Sequence, residues 1–276
     1  MSRRREISSI VRASKILRCL SNDIGRITDI SKEVQLSKGA IHGILETLKS
    51  TGFAGQDPVT RHYCLGPLFH ELTSNPFVAH KGLVQCSIGE MERLRDLSGE
   101  TVALQIPNGS QRIILEEVLS SQPIRFTGGK GLSAPIHTGA GKILLSELEG
   151  KDLEFFLKNI DLVPVTSNTI TDKEVLLREL DNIRKQGYAT SFGERLPGSA
   201  CIAVPVKDYY SPLTLSIIGP ESRFLPEKMF SILDEMKQSA ANISNRIKEI
   251  IRTTQGTALS SERTASKRCA TIVSTS

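Results

Sequence analysis

The alternation of apolar and polar positions is clearest between Arg26 and Phe53. Ile27, Ile30 and Val34 recur three and four residues apart, which predicts a short helix with one apolar face. After a tight connection at Gln35–Leu36, a second apolar stripe predicts a second helix, with members Ile41, Ile44, Leu45 and Leu48. Two short helices joined by one tight turn are typical of a helix-turn-helix, whose second helix can lie in the DNA major groove.

The residues around this pair extend the motif. Ser37 is a good N-cap for the second helix, and Gly52 stands where a left-handed C-cap is expected. Two short segments, 53–56 and 61–66, flank a turn at Asp57–Pro58 and predict a β-hairpin. The pattern therefore predicts a winged helix-turn-helix.

Beyond the hairpin, an amphipathic stretch from Val78 to Leu97 predicts a long helix that stops at Gly99. Strands follow at 101–106 and 111–118 around Asn108–Gly109, a strong hairpin signal. The remaining predicted elements are strands at 188–194, 201–206 and 213–218, a helix from a Thr171/Glu174 capping box to Gly187, and a final helix from Pro226 to about Ile251. An antiparallel-rich sheet with helices at the chain ends is an α+β arrangement.

These elements divide the chain into four parts. We expect a DNA-binding domain at 1–70, a linker helix at 71–98 and an effector-binding domain at 99–252. The segment 253–276 is rich in Ser and Thr and poor in large apolar residues, so we expect it to be disordered.

Composition excludes several classes of protein. No apolar run in the 276 residues approaches the ~18 that a membrane span needs. The five cysteines are scattered without a C-x-x-C pair, which argues against a disulfide framework or zinc site and for a reducing, cytoplasmic location. Gly139–Ile143 does not fit a nucleotide-binding phosphate loop, and we expect Lys142 to be a solvated helix charge. The sequence thus predicts no metal and no cofactor.

The net charge of +5 is unevenly distributed. Residues 1–66 hold 11 Lys/Arg against 6 Asp/Glu, whereas residues 67–251 hold 20 against 23. A basic N-terminal unit on a mildly acidic body fits a DNA-binding head joined to a sensing domain.

Three blocks of residues resemble one known family, the IclR-type bacterial transcriptional regulators. They are Tyr63–Gly66; Ala134–Leu145; and a third block with Gly187–Tyr188, Gly193–Glu194, Pro197–Gly198, Cys201–Pro205 and Leu215–Pro220. The resemblance covers roughly residues 7 to 251. It implies a winged helix-turn-helix, a linker helix and a GAF-like mixed α/β domain that binds a small organic acid, in a homodimer or a homotetramer.

The resemblance also implies an effector site. Its carboxylate would meet backbone amides at Gly139 and Ala140, where a helix begins and its free N–H groups favour an anion. The other positions that match family ligand contacts are Ser191, Cys201, Ser216 and Ile218. Some members carry an acidic residue at the position of Ser191 and a serine at that of Ile218, so we expect a less polar effector here, a bulkier or aromatic acid.

No catalytic group is predicted. Cys201 begins a strand and is interpreted first as a small buried residue, second as a ligand contact. His137 is a candidate base for it, but no third residue that would orient the histidine is identifiable.

On the head, we expect Ser37, Lys38 and His42 to face the major groove and Arg61 of the wing to bind phosphate. Gly39 and Gly43 each weaken the helix by ~1 kcal/mol relative to Ala. They either let the backbone approach DNA closely or mark weak binding.

The sequence therefore predicts a regulator without enzymatic activity, which binds double-stranded DNA and responds to a small organic acid. Two alternatives stay open. One is a small-molecule-binding protein or enzyme whose winged head contacts protein rather than DNA. The other is a regulator without a natural ligand.

Overall fold

The computed structural model describes the backbone of residues 7–272 and the side chains of residues 7–252. The chain forms two compact units, Met1–Ala79 and His80–Ser276, which we call the head and the body. The predicted α+β class is confirmed: the head carries the helix-turn-helix and the body an antiparallel sheet with helices.

The head begins with three helices, α1 (Ser8–Ser21), α2 (Ile27–Val34) and α3 (Lys38–Ser50). Their apolar faces meet in one core, in which Ile30, Ile41 and Leu45 are completely buried. Gln35 adopts the left-handed conformation that reverses the chain between α2 and α3. The Ser37 side chain accepts a hydrogen bond from the Ala40 amide at 3.3 Å and so caps α3 as predicted.

The wing is an antiparallel pair of strands, β1 (Ala54–Gln56) and β2 (Tyr63–Leu65). The Asp57 carboxylate shapes the turn between them by accepting from the amides of Val59 and Thr60. Gly66 is required after the wing, because a Cβ there would lie 2.1 Å from the Gly52 carbonyl oxygen. The predicted hairpin is therefore present.

The stretch predicted as one linker helix, 71–98, is divided among three helices: α4 (Leu68–Thr73), α5 (Pro76–Ala79) and α6 (Lys81–Ser98). Pro76 has no amide hydrogen and disfavours a helical conformation at the residue before it, so the chain restarts there. The Asn75 side chain accepts from the Phe77 amide and caps this new start. As predicted, Gly99 ends α6, in a left-handed conformation with φ of 73°.

The body contains one sheet of six strands in the order β5-β4-β3-β8-β7-β6. The strands are β3 (Thr101–Asn108), β4 (Gln111–Val118), β5 (Ser133–Pro135), β6 (Ala189–Phe192), β7 (Ser199–Pro205) and β8 (Thr214–Pro220). All neighbouring strands are antiparallel. The hairpin predicted at Asn108–Gly109 joins β3 to β4.

Helices cover both faces of this sheet. The remaining ones are α7 (Gly141–Ser146), α8 (Gly150–Asn159), α9 (Lys173–Gln186), α10 (Pro226–Ser231) and α11 (Leu233–Ile272). Ile202 and Val204 of β7 pack in the core shared with α6 and α11, whereas Cys201 and Ala203 pack in the core shared with α7 and α9. This alternation is the two-residue period of a strand buried on both faces.

Two helix ends differ from their predictions. Asp172, rather than Thr171, caps α9, because its carboxylate accepts from the Val175 amide. The helix predicted to end near Ile251 continues to Ile272, and the expected disorder of 253–276 stays a prediction. The segment lacks proline, and each further helical residue adds a hydrogen bond once a helix exists. Residues 273–276 lie outside the described residues.

In the described part of the chain, no helix is long and apolar enough to cross a membrane. The four cysteines within residues 7–252 are all free. The same residues contain no cluster of His, Cys, Asp or Glu suited to hold a metal ion.

Candidate functional sites

The first candidate site is the exposed face of α3. Ser37, Lys38 and His42 are all exposed. Lys38 and His42 stand four residues apart, so they lie on one face of the helix. The Ser37 hydroxyl oxygen already accepts the capping bond from Ala40, which leaves its hydrogen as the group available to a partner.

Glycines interrupt this face. A Cβ built on Gly39 or Gly43 would have no heavy atom within 4 Å, so the fold itself does not require glycine at either position. Each glycine nevertheless weakens the helix by ~1 kcal/mol relative to Ala. A bare strip of backbone is therefore exposed beside Lys38 and His42.

A groove separates α3 from the wing. His42 and Arg61, both predicted to face DNA, line it together with Arg26, His62 and Tyr63. Arg26 Nε donates to His62 Nε2 at 2.7 Å, which fixes both side chains beside the wing. Sequence reasoning missed Arg26 and His62, because no periodicity connects a residue before α2 with one in the wing.

The second candidate site is a cavity in the body, with about 450 Å³ of empty space including its open mouth. All six residues predicted to bind the effector line it: Gly139, Ala140, Ser191, Cys201, Ser216 and Ile218. Strand alternation explains the convergence, because the neighbouring residues Ile202, Leu215 and Ile217 point into the opposite core.

Sequence reasoning missed the charged residues of this cavity, Arg112, Arg195 and Glu117, and the amide of Gln105. In the sequence, Arg112 stands two residues after a hairpin turn and resembles an ordinary surface charge. The structure places it on β4 with its side chain facing inward and only 5% of its surface exposed. The cavity is therefore more polar than the residues at 191 and 218 suggested.

The Arg112 side chain is held rigidly. Its Nε donates to Gln105 Oε1 at 2.6 Å, and its Nη1 donates to the carbonyl oxygens of Pro135 and Thr138. Gln105 in turn donates to Ser216 Oγ at 2.8 Å. Burial, together with the nearby positive charge of Arg195, lowers the pKa of Arg112 to about 10. Arg112 is thus a positive charge in an environment that disfavours it.

The expected anion site at the Gly139 amide is already occupied. The Gly139 N–H donates to Glu194 Oε2 at 2.7 Å, and Lys142 Nζ lies 2.6 Å from Glu194 Oε1 and 2.8 Å from Glu179. Lys142 is only 1% exposed, so the expectation of a solvated charge is wrong. The lysine instead neutralises the carboxylate that takes the Gly139 amide, and of the two predicted amides only that of Ala140 remains for a ligand.

The thiol and the imidazole considered for catalysis do not share the cavity. Cys201 lines it, but His137 is absent from its wall. Burial raises the pKa of Cys201 to about 11, which keeps the thiol protonated at neutral pH. Burial also lowers the pKa of His137, whose Nε2 contacts the Val163 carbonyl at 3.2 Å. These groups lack the proximity and the thiolate that nucleophilic catalysis needs.

Two family models match the chain. The IclR helix-turn-helix domain matches residues 9–58, and the C-terminal domain of bacterial transcriptional regulator IclR matches residues 77–245. Together they cover α3 and the cavity of the body, whereas Arg61 and His62 of the wing lie between the two matched ranges.

Among similar proteins, the HTH-type transcriptional regulator BhcR of Paracoccus denitrificans is 30% identical over 242 residues, 86% of each chain. The crystal structure of Thermotoga maritima IclR is 27% identical with a TM-score of 0.59, covering 88% of this chain and 99% of that one. An IclR homologue from Microbacterium hydrocarbonoxydans, crystallised with 4-hydroxybenzoate, shares the fold at 20% identity and a TM-score of 0.56, covering 87% and 99%.

Proposed function

The chain belongs to the IclR family of bacterial transcriptional regulators, which bind DNA, and from this premise we propose how its two sites work. The head binds an operator through the face of α3 and the wing. The body binds a small organic acid, and occupation of the cavity changes the affinity of the head for DNA. The protein is a regulator without catalytic activity.

The proposal of an acidic effector rests on one observation, the buried guanidinium of Arg112. A buried charge without an opposite charge is costly, and a bound carboxylate would compensate it with charge-assisted hydrogen bonds. Arg112 has no carboxylate within ion-pair distance in the described part of the chain. The 4-hydroxybenzoate of the Microbacterium homologue is an acid of the class we propose here.

On the head, Lys38, His42 and Arg61 are the proposed contacts, with Ser37 at the start of the recognition helix. Lys38 and Arg61 supply positive charge to phosphates, and His42 is placed to reach base edges. Arg26 and His62 complete the groove between α3 and the wing. Two heads are needed to read two half-sites, so we propose that the regulator acts as a homodimer or a homotetramer.

The absence of enzymatic activity is supported by the state of Cys201. A thiol with a raised pKa is a poor nucleophile, and the described residues offer no metal cluster as a substitute. The cavity therefore suits binding rather than turnover.

The function is tested by titrating the full-length protein against the DNA upstream of its own gene and of the neighbouring genes, across a salt series. Metabolites of those genes are then added one at a time. We expect saturable binding that weakens with salt and shifts with one acid. Salt-sensitive binding that no compound shifts would leave a regulator without a ligand. Affinity no greater than for random DNA would favour a head that contacts protein.

A further inference from the structure

The guanidinium of Arg112 presents a single nitrogen to the cavity. Its Nε and Nη1 are used by Gln105, Pro135 and Thr138, whereas Nη2 makes none of the hydrogen bonds found in the described part of the chain. Among the described residues, His137 Nδ1 is the one side-chain nitrogen or oxygen that is fully buried and has no partner. Arg112 Nη2 also has no partner, so it is not fully buried, and it is open to the cavity that Arg112 lines. One donor edge of Arg112 is therefore left for a ligand.

Ser191 marks where that ligand would sit. A Cβ built on Gly139 would lie 3.7 Å from Arg112 Nη2 and 3.8 Å from Ser191 Oγ. The two donors thus converge on the space beside Gly139 that a side chain would fill. A carboxylate there can accept from Nη2 with one oxygen and from the serine hydroxyl with the other.

Arg195 offers a second, separate cation. It follows β6, lines the same cavity and is half-buried, yet it takes part in no hydrogen bond or ion pair among the described residues. Burial lowers the pKa of Arg195 as well. All five of its N–H donors are free for a ligand.

The two arginines come from distant strands of the sheet. Arg112 lies on β4 and Arg195 follows β6, four strands away in the sheet order. In a flat sheet four strand spacings amount to ~19 Å, so sequence and strand order alone would not place both residues at one cavity.

No acidic side chain among the described residues forms a hydrogen bond or ion pair with either guanidinium, although Glu194 attracts Arg112 and Glu117 attracts Arg195 over a longer distance. Glu117 accepts from the Gly128 and Gly129 amides and from the Thr127 hydroxyl. Glu194 accepts from Lys142 and from the Gly139 amide. Both carboxylates are therefore used for loop and turn geometry, and the cavity keeps two cations without hydrogen-bonded anions.

We propose that the effector carries two anionic groups, one bound by Arg112 with Ser191 and the other by Arg195. The chemical class is a short dicarboxylic acid or an acid with an equivalent second anion. This inference rests on the proposed role of the cavity as the effector site and narrows the ligand from any organic acid to a doubly charged one.

The test is calorimetric titration of the full-length protein with acids matched in carbon number. Succinate, glutarate and adipate are compared with butyrate, pentanoate and hexanoate. We expect at least one dicarboxylate to bind at least tenfold more tightly than its monocarboxylate partner. Arg195→Gln should weaken binding of that dicarboxylate at least tenfold and so remove most of this difference.

Arg178→Gln is the matched control, since Arg178 is an exposed arginine of α9 that does not line the cavity. It should bind every acid as the wild type does. Arg195 makes no hydrogen bond among the described residues, so Arg195→Gln should fold. Arg112→Gln also removes the hydrogen bonds to Gln105, Pro135 and Thr138, so a loss of acid binding in that variant is only supporting evidence.

The outcomes separate this inference from the proposed function. Equal affinity for the two members of every pair would overturn the two-anion effector and leave an acid-responsive regulator intact. An unchanged dicarboxylate preference in Arg195→Gln would overturn the role of Arg195. Binding of no acid of either kind, with DNA binding retained, would overturn both the inference and the proposed acid effector. Loss of DNA binding alone would count against the function of the head and not against the cavity.

Discussion

The recognition face of α3 and the cavity of the body are built in opposite ways. Lys38 and His42 are exposed and their helix folds without them, since its core is made by Ile41 and Leu45. In the cavity, Arg112 is also part of the structure, because its guanidinium connects three segments of the chain. Removal of the Lys38 or His42 side chain should therefore change binding alone, whereas removal of the Arg112 side chain should change binding and folding together.

The largest expected effect concerns the ion pair beside the cavity. Lys142→Met leaves Glu194 buried without its cation, and breaking a buried pair by removing one partner destabilises a protein by ~3–5 kcal/mol. We expect a loss of that size in the free energy of unfolding, measured by urea denaturation.

Lys207→Met is the control for this prediction. Lys207 pairs with Glu147, but its side chain is 59% exposed, and surface pairs contribute only ~0–1 kcal/mol. Equal losses in the two variants would contradict the distinction between a structural body site and an ordinary surface.

The second prediction separates binding from folding within the body. Gly139→Ala introduces a methyl group into the space between Arg112 Nη2 and Ser191 Oγ, at a left-handed φ of 52°. We expect acid affinity to fall at least tenfold in calorimetry.

Gly150→Ala provides the matching control, since Gly150 has φ of 51° and no heavy atom within 4 Å of a built Cβ. Both variants should lose ~1–2 kcal/mol of stability from the left-handed backbone. Comparable acid binding in the two would show that the space beside Gly139 is not the ligand site.

The third prediction addresses the head. Lys38→Ala and Arg61→Ala should each weaken binding at all DNA sequences and reduce the slope of log affinity against log salt by ~0.9. Their unfolding free energies should change by less than ~0.5 kcal/mol, since both side chains are exposed.

Fluorescence anisotropy across a salt series measures these slopes, with Arg178→Ala of the body as the charge-matched control. A residue whose removal leaves the slope at the wild-type value is not a phosphate contact.

The smallest expected effect concerns the bare strip of α3. Gly39→Ala and Gly43→Ala should each stabilise the head by ~1 kcal/mol, because a Cβ meets nothing at either position. We expect DNA affinity to fall several-fold at the same time, since the methyl groups would hold the backbone away from the bases.

Gly82→Ala and Gly89→Ala of α6 are the parallel substitutions, also at open helical positions. They should raise stability without changing DNA affinity. Tighter DNA binding in the α3 variants would show that the glycines only weaken the helix.

The two sites differ in how many of their residues could be predicted from the sequence, and the reason is physical. Residues on one helix follow a period of 3.6, so the stripe from Ile41 to Leu48 was predicted from the sequence alone. The six residues implied by the family resemblance also line one cavity.

Residues of the chain that are brought together only by tertiary folding were not predicted from the sequence. Arg112 lies on β4 and Arg195 follows β6, four strands away, and Lys142 meets Glu194 across 52 residues. Local pattern treats each of these residues as a separate surface charge. The extension of α11 was missed for a different reason, because the end of a helix depends on propagation more than on apolar spacing.

The central claim, that an acid bound in the body changes DNA binding by the head, is tested most directly by one titration. The wild type and Arg195→Gln are titrated against the upstream DNA with and without the tightest dicarboxylate. We expect equal DNA affinity for both proteins without acid, and a shift in the wild type at acid concentrations at least tenfold below those that the variant needs. Acid binding that leaves wild-type DNA affinity unchanged would contradict the central claim, whereas an equal shift in both proteins at the same acid concentration would contradict the role of Arg195.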